Sequence, residues 1–138
     1  MIVIDEYLAV QVLRGRWPGG LPDDEFGLPA SRHWRLLQAL HGRRGGQLSQ
    51  LLSPLGEIDR AALRWPHPEV LAVLDTRPLL DEAARITARF GGGWIIGETI
   101  AAGLAHGRRL YYGSAANIGR PERDASTHLS VELVTLTG

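Results

Sequence analysis

Met1-Ile2-Val3-Ile4-Asp5-Glu6 opens the chain, and the reading of this stretch decides the fold. Three β-branched residues after the first Met form a short, fully buried strand, and the apolar run stops abruptly at two carboxylates. In open α/β sheets ligands bind in the crevice beyond the carboxyl ends of the parallel strands, so Asp5 and Glu6 stand at a candidate site. Asp5 also suits the N-cap of a following helix, because Asp ahead of an apolar-periodic stretch accepts hydrogen bonds from the first free amides. Ligand edge and helix cap are both open readings of this residue.

Working outward, Tyr7 to Leu13 reads as a first helix with Leu8, Val10, Val12 and Leu13 turned inward. A breaker-rich loop follows, Gly15 to Pro22, ending in the solvated acids Asp23, Asp24 and Glu25. Leu28-Pro29-Ala30 is a short second strand, its proline favouring an edge or the strand's start. Ser31 caps a helix in which Trp34, Leu36, Leu37 and Leu40 recur at helical spacing up to Gly42. Arg43-Arg44-Gly45-Gly46 is a turn into a leucine-rich stretch over 48–55, with short helices expected at 57–63 and 68–74. A helix carrying Leu79, Leu80, Ala83, Ile86 and Phe90 ends at three glycines. Trp94 to His106 is a buried helix with small residues suited to close packing and a single acid, Glu98. Burying an ionised carboxylate is costly unless it is paired or metal-bound. Leu110-Tyr111-Tyr112 is a strand, 113–124 a long polar loop, and 131–136 a last, alternating strand. Helices between short strands imply a parallel α/β sheet of four or five strands.

A chain of 138 residues with 44% hydrophobic content is long enough for one well-packed domain and too short for two, so 1–138 is read as a single domain. With no cysteine, neither a disulfide framework nor a thiolate metal site is possible. No run approaches the roughly 18 apolar residues of a membrane span, and no signal segment precedes the strand, so no membrane association and a cytoplasmic location are expected. Formal charge is zero, yet all 15 cations are arginine, whose planar fork suits phosphate. Residues 1–30 are acidic, whereas 31–64 and 85–123 are rich in arginine. A neutral total argues against indiscriminate polyanion binding.

The opening Ile2-Val3-Ile4-Asp5, the segment Leu79 to Phe90, the run Gly97-Glu98-Thr99-Ile100-Ala101-Ala102-Gly103-Leu104-Ala105 with Gly107, the strand at Leu110-Tyr111-Tyr112 and the closing strand together resemble a PIN domain, nearest to the VapC-type toxins of prokaryotic toxin-antitoxin pairs. The resemblance spans nearly the whole chain in order and spacing. It implies a three-layer α/β/α fold and a type II toxin, an endoribonuclease that hydrolyses RNA with Mg²⁺ or Mn²⁺ held by clustered carboxylates. It also implies a small antitoxin as partner and a homodimer.

Carried over residue by residue, the resemblance makes Asp5 and Glu98 the catalytic, metal-binding acids, with Glu98 standing where the family normally has aspartate. The family's middle glutamate is missing, and Arg35 and Gln38 stand in that region. The late Thr-x-Asp position becomes Gly113-Ser114-Ala115-Ala116-Asn117. Glu6, Gln38, Ser114 and Asn117 are therefore supporting residues, and Arg35, Arg43, Arg44, Arg108 and Arg109 are expected to hold RNA phosphates. Two firm acids are few for metal-assisted phosphodiester cleavage, which needs charge neutralisation and an activated water, and weak binding is expected of a hard cation with so few charged ligands.

Other chemistries lack their motifs. The histidines His33, His41, His67, His106 and His128 show no HExxH or similar ligand spacing, and no G-x-S-x-G or G-x-G-x-x-G is present. Trp17, Trp34, Trp65 and Trp94 read as core or interface residues. Two readings follow: a divergent PIN-type endoribonuclease toxin, or a catalytically silent PIN-like binding or regulatory module. Arg35 discriminates, since a guanidinium inside the acidic pocket would replace the metal's charge, whereas one facing outward would remain open to RNA. The antitoxin is expected to cover the first helix and the leucine-rich stretch and to offer an arginine to the acids.

Overall fold

A computed structural model describes residues 1–42 and 46–136. Its centre is a five-stranded parallel sheet made of β1 (Ile2–Ile4), β2 (Phe26–Pro29), β3 (Ala72–Leu74), β4 (Arg109–Tyr112) and β5 (Glu132–Thr135), in the order β3-β2-β1-β4-β5. Seven α-helices among the described residues complete a three-layer α/β/α fold: α1 (Glu6–Leu13), α2 (Ala30–Leu40), α3 (Gly46–Leu52), α4 (Glu57–Arg64), α5 (Leu80–Phe90), α6 (Gly93–Ala105) and α7 (Arg120–Leu129). The expected fold class is the observed one.

Successive strand residues point to opposite faces, and the layers follow from that alternation. Val3, Leu110 and Tyr112 face Ala83, Ile86, Ile100, Ala101, Ala102 and Ala125, so α5, α6 and α7 cover one side. Ile4, Leu28 and Tyr111 face Leu8, Ala9 and Val12 of α1 on the other. A third cluster joins Val10 of α1 to Leu36, Leu40, Leu48, Leu52 and Leu63 of α2, α3 and α4. The close approach of α5 and α6 depends on Gly97, where a Cβ would lie 2.5 Å from the Ala83 carbonyl oxygen.

Two segments differ from expectation. The region 68–74 is not a helix: its last residues form β3, paired in parallel with β2 from Gly27↔Ala72 to Pro29↔Leu74. A short apolar run satisfies either period, and here the open side of β2 decides. The region 113–124 is not one long loop. It contains a 3₁₀ turn at Ala115–Asn117, and α7 starts at Arg120 with Pro121 in its first turn, where the missing N–H costs nothing.

The strand order places the site. From β1 the chain builds outward through β2 and β3, then crosses back so that β4 pairs with the other side of β1. The order thus reverses between β1 and β4, and the crevice beyond their carboxyl ends is the topological switch point. Asp5 follows β1 there and Gly113 follows β4. No described helix is long and apolar enough to cross a membrane.

Candidate functional site

Asp5 caps α1 and at the same time lies at the crevice between β1 and β4. Its Oδ1 accepts from the Leu8 amide at 2.9 Å, closing the first turn of α1, and from the Gly113 amide at 3.0 Å, tying the end of β1 to the end of β4. Its Oδ2 accepts from Asn117 Nδ2 at 3.0 Å. Burial, with Glu6 adding like charge, outweighs these donors and pushes the Asp5 carboxyl up to about 7.

Asn117 holds the next link. The same Nδ2 donates to Glu6 Oε1 at 2.6 Å, while its Oδ1 accepts from Arg35 Nη1 at 2.8 Å. Arg35 Nη1 also stands 3.5 Å from Glu6 Oε2, an ion-pair distance without a hydrogen bond. Arg35 therefore points into the acidic crevice, with its side chain 41% exposed at the mouth. Held there, it is not the outward cation expected for RNA.

The centre of the cluster is Arg32, whose side chain is 1% exposed. Residues 32, 36 and 40 share one face of α2, so the spacing that buries Leu36 and Leu40 carries a guanidinium inward with them. Nη1 donates to Glu6 Oε1 at 3.2 Å, Nη2 to Glu122 Oε2 at 3.2 Å, and Nε to Thr99 Oγ1 at 2.9 Å. The Tyr112 ring lies 5.5 Å from the guanidinium carbon, and its hydroxyl donates to Glu122 Oε2. Burial opposes the charge on Arg32, but Glu6, Tyr112 and Glu122 outweigh it and hold the guanidinium above its ordinary value. Burial likewise raises the Tyr112 hydroxyl well above its usual range, so it is a donor at neutral pH.

Glu98 sits in α6 fully buried, and its Oε1 accepts from the Ser31 amide at 2.7 Å. It thus caps α2 in the role expected of the Ser31 hydroxyl, which has no hydrogen-bond partner. From Asp5 the network runs through Asn117, Glu6 and Arg32 to Thr99, while Glu98, the residue before Thr99, bonds the Ser31 amide.

Of the supporting residues, Glu6 and Asn117 lie in the cluster. Ser114 instead donates to Gln47 Oε1 at 2.9 Å, and Gln38 is half-buried one turn beyond Arg35 on α2. Arg108 and Arg109 are not beside the acids. They stand at the amino end of β4, three residues or roughly 10 Å along the strand from Tyr112, at the opposite edge of the sheet. There Arg108 donates to the Leu129 carbonyl at 2.7 Å and Arg109 to Glu132 at 2.9 Å. Arg43 and Arg44 lie outside the described residues.

Arg32, Glu122, Tyr112 and Thr99 went unread in the sequence. The spacing Arg32-Leu36-Leu40 signals a cation on an apolar face, and Gly119-Arg120-Pro121-Glu122 is a helix start with an early proline and acid.

Both oxygens of Asp5, and one each of Glu6, Glu98 and Glu122, already accept hydrogen bonds from this chain. Among the described residues no three His, Asp or Glu side chains are grouped to hold a metal ion. No family model, curated protein or solved structure matches the chain.

Proposed function

We propose that this chain is a PIN-like binding or regulatory module in which an internal guanidinium takes the place that a metal-dependent nuclease gives its cation. The observation that carries the reading is Arg32, fully buried and shared between Glu6 and Glu122. A guanidinium neutralises carboxylates, but it offers no open coordination position and activates no water, which are the two things metal-assisted hydrolysis requires. Arg35, turned inward at the mouth, adds a second internal positive charge. In this reading the acids hold the crevice together, and the surface around it serves recognition of another molecule.

One observation favours the endoribonuclease toxin, with Asp5 and Glu98 on Mg²⁺ or Mn²⁺ and a small antitoxin as inhibitor. Glu6 Oε2, Glu98 Oε2 and Glu122 Oε1 are buried without a hydrogen-bond partner, and bare buried carboxylate oxygens are costly. The two readings separate on expression in a bacterial host and on incubation of the purified chain with mixed RNA in Mg²⁺ or Mn²⁺. Unaffected growth and intact RNA support the module. Growth arrest and RNA cleavage, both relieved by Asp5→Ala and Glu98→Ala, would establish the toxin.

A further inference from the structure

The surfaces expected to receive a partner are internal: Leu8, Val10 and Val12 of α1 and Leu48, Leu52 and Leu55 of the leucine-rich stretch are buried. A cavity of about 700 Å³ opens instead where α5 begins and α6 and α7 end, at the amino edge of β4 and β5 and away from the acidic crevice. That volume is in the range of small-molecule sites. One wall is apolar, built from the half-buried Leu79, Leu104 and Leu129. Around it stand Glu82, Arg108, His128 and Ser130, and each keeps bonding capacity that the fold does not use. Arg108 donates through Nη1 to the Leu129 carbonyl at 2.7 Å, which leaves its Nε and Nη2 without a partner among the described residues. The Ser130 hydroxyl has none there either. Glu82 accepts from Arg85 through Oε2 at 3.2 Å, and its Oε1 is unused. His128 Nδ1 donates to the Asp124 carbonyl at 3.0 Å, so in the neutral ring Nε2 is an acceptor.

Two of these four residues are also held in an unfavourable backbone conformation. Arg108 and Ser130, with φ of 59° and 57°, are the positive-φ residues other than glycine among the described residues, and both line this cavity. Each closes a helix: the Arg108 amide bonds the Gly103 carbonyl at 2.8 Å, and Ser130 is the C-cap of α7. Glycine takes that conformation freely, whereas a side chain is held there against its own sterics. What these positions add over glycine is an arginine and a hydroxyl on one cavity wall. We propose that the cavity binds a free α-amino acid with a large apolar side chain. Arg108 and Ser130 donate to its carboxylate, Glu82 and His128 accept from its ammonium group, and Leu79, Leu104 and Leu129 cover its side chain. A simple anion would meet the charge of Glu82 and a simple cation that of Arg108, whereas a zwitterion answers both. The site shares no residue with the acidic crevice, so it stands whether or not the chain cleaves RNA.

Titration of the isotope-labelled full chain with L-phenylalanine and with L-leucine, followed by amide NMR, tests this. At least one of the two should shift the amides of Leu104, Ala105, Ser130 and Val131 saturably and leave those of Asp5 and Gly113 unmoved. The same molecule without its ammonium or without its carboxylate (phenylpropionate or phenethylamine in the case of L-phenylalanine) should bind about tenfold more weakly, since each lacks one charge-assisted set of hydrogen bonds. Glu82→Gln should weaken the amino acid and spare the carboxylate analogue. Ala105→Trp, which fills the cavity from an exposed position, should abolish binding, and circular dichroism verifies that both variants are folded. No saturable shift with either amino acid, equal affinity for the analogues that lack one charge, or binding that survives Ala105→Trp would overturn the proposal.

Discussion

Replacing Arg32 by methionine keeps most of the side chain's volume and removes its charge. Glu6 and Glu122 would then face each other's surroundings without the guanidinium that now lies 3.2 Å from each. Removing one partner of a buried ion pair costs about 3–5 kcal/mol, because the remaining charge is left desolvated. Two carboxylates are stranded here, so Arg32→Met should sit at the upper end, about 5 kcal/mol. A domain of this size has about 5–15 kcal/mol in total, so the variant should be marginal, with its urea midpoint collapsed at neutral pH. The loss should be electrostatic and therefore recoverable. Arg32→Met combined with Glu6→Gln and Glu122→Gln removes the stranded charges and should regain at least half of the lost stability, measured by urea denaturation followed by circular dichroism. A loss below about 1 kcal/mol for Arg32→Met would mean that the buried pairs contribute little. Failure of the triple variant to recover would show that the cost is packing and would refute the argument from charge.

At the mouth the same chemistry should be nearly silent: Arg35→Ala removes a partly exposed cation and should cost no more than about 1 kcal/mol in the same assay. The Asp5 carboxyl should titrate near 7 by carbon NMR, far above its ordinary 3.8, and a midpoint near 4 would contradict the burial argument. Since its folded value is raised, Asp5's contribution to stability is present below about pH 4 and is lost as pH rises through 7. Replacing Asp5 by alanine should therefore cost more stability at pH 4 than at pH 8, as read from thermal unfolding at the two values. Gly113→Ala would bring a Cβ to 2.8 Å from Tyr7 Cβ and 3.1 Å from the Leu8 amide, the donor that shares Asp5 Oδ1 with Gly113. It should destabilise by about 1–3 kcal/mol, since that backbone has no room to yield.

How far the site could be read from residues depended on whether a local pattern spoke with one voice. Ile2-Val3-Ile4 followed by Asp5 admits one strand ending at one edge, and Asp5 lies at that edge and caps α1, where the pattern puts it. Glu98 was conspicuous because a lone acid in an apolar helix needs a partner; that the partner is the Ser31 amide follows only from the packing of α2 on α6. Arg32 was hidden because α2 was read through Trp34, Leu36, Leu37 and Leu40 together, a set spread over more than one face, whereas the buried face is set by Leu36 and Leu40 alone. Glu122 was hidden for the opposite reason: α7 buries only Glu122, Ala125 and Ser126, so its helical period carries almost no hydrophobic signal. The run over 68–74 satisfied two periods, and only a neighbouring strand could choose between them.

The central claim is that the chain's own arginine occupies the electrostatic place of a divalent cation, and Mn²⁺ titration followed by electron paramagnetic resonance tests it most directly. The account predicts that the free-Mn²⁺ signal is undiminished by the protein up to millimolar metal, and that Asp5→Ala and Glu98→Ala change nothing. A saturable loss of signal at one site per chain, abolished by either substitution, would contradict it.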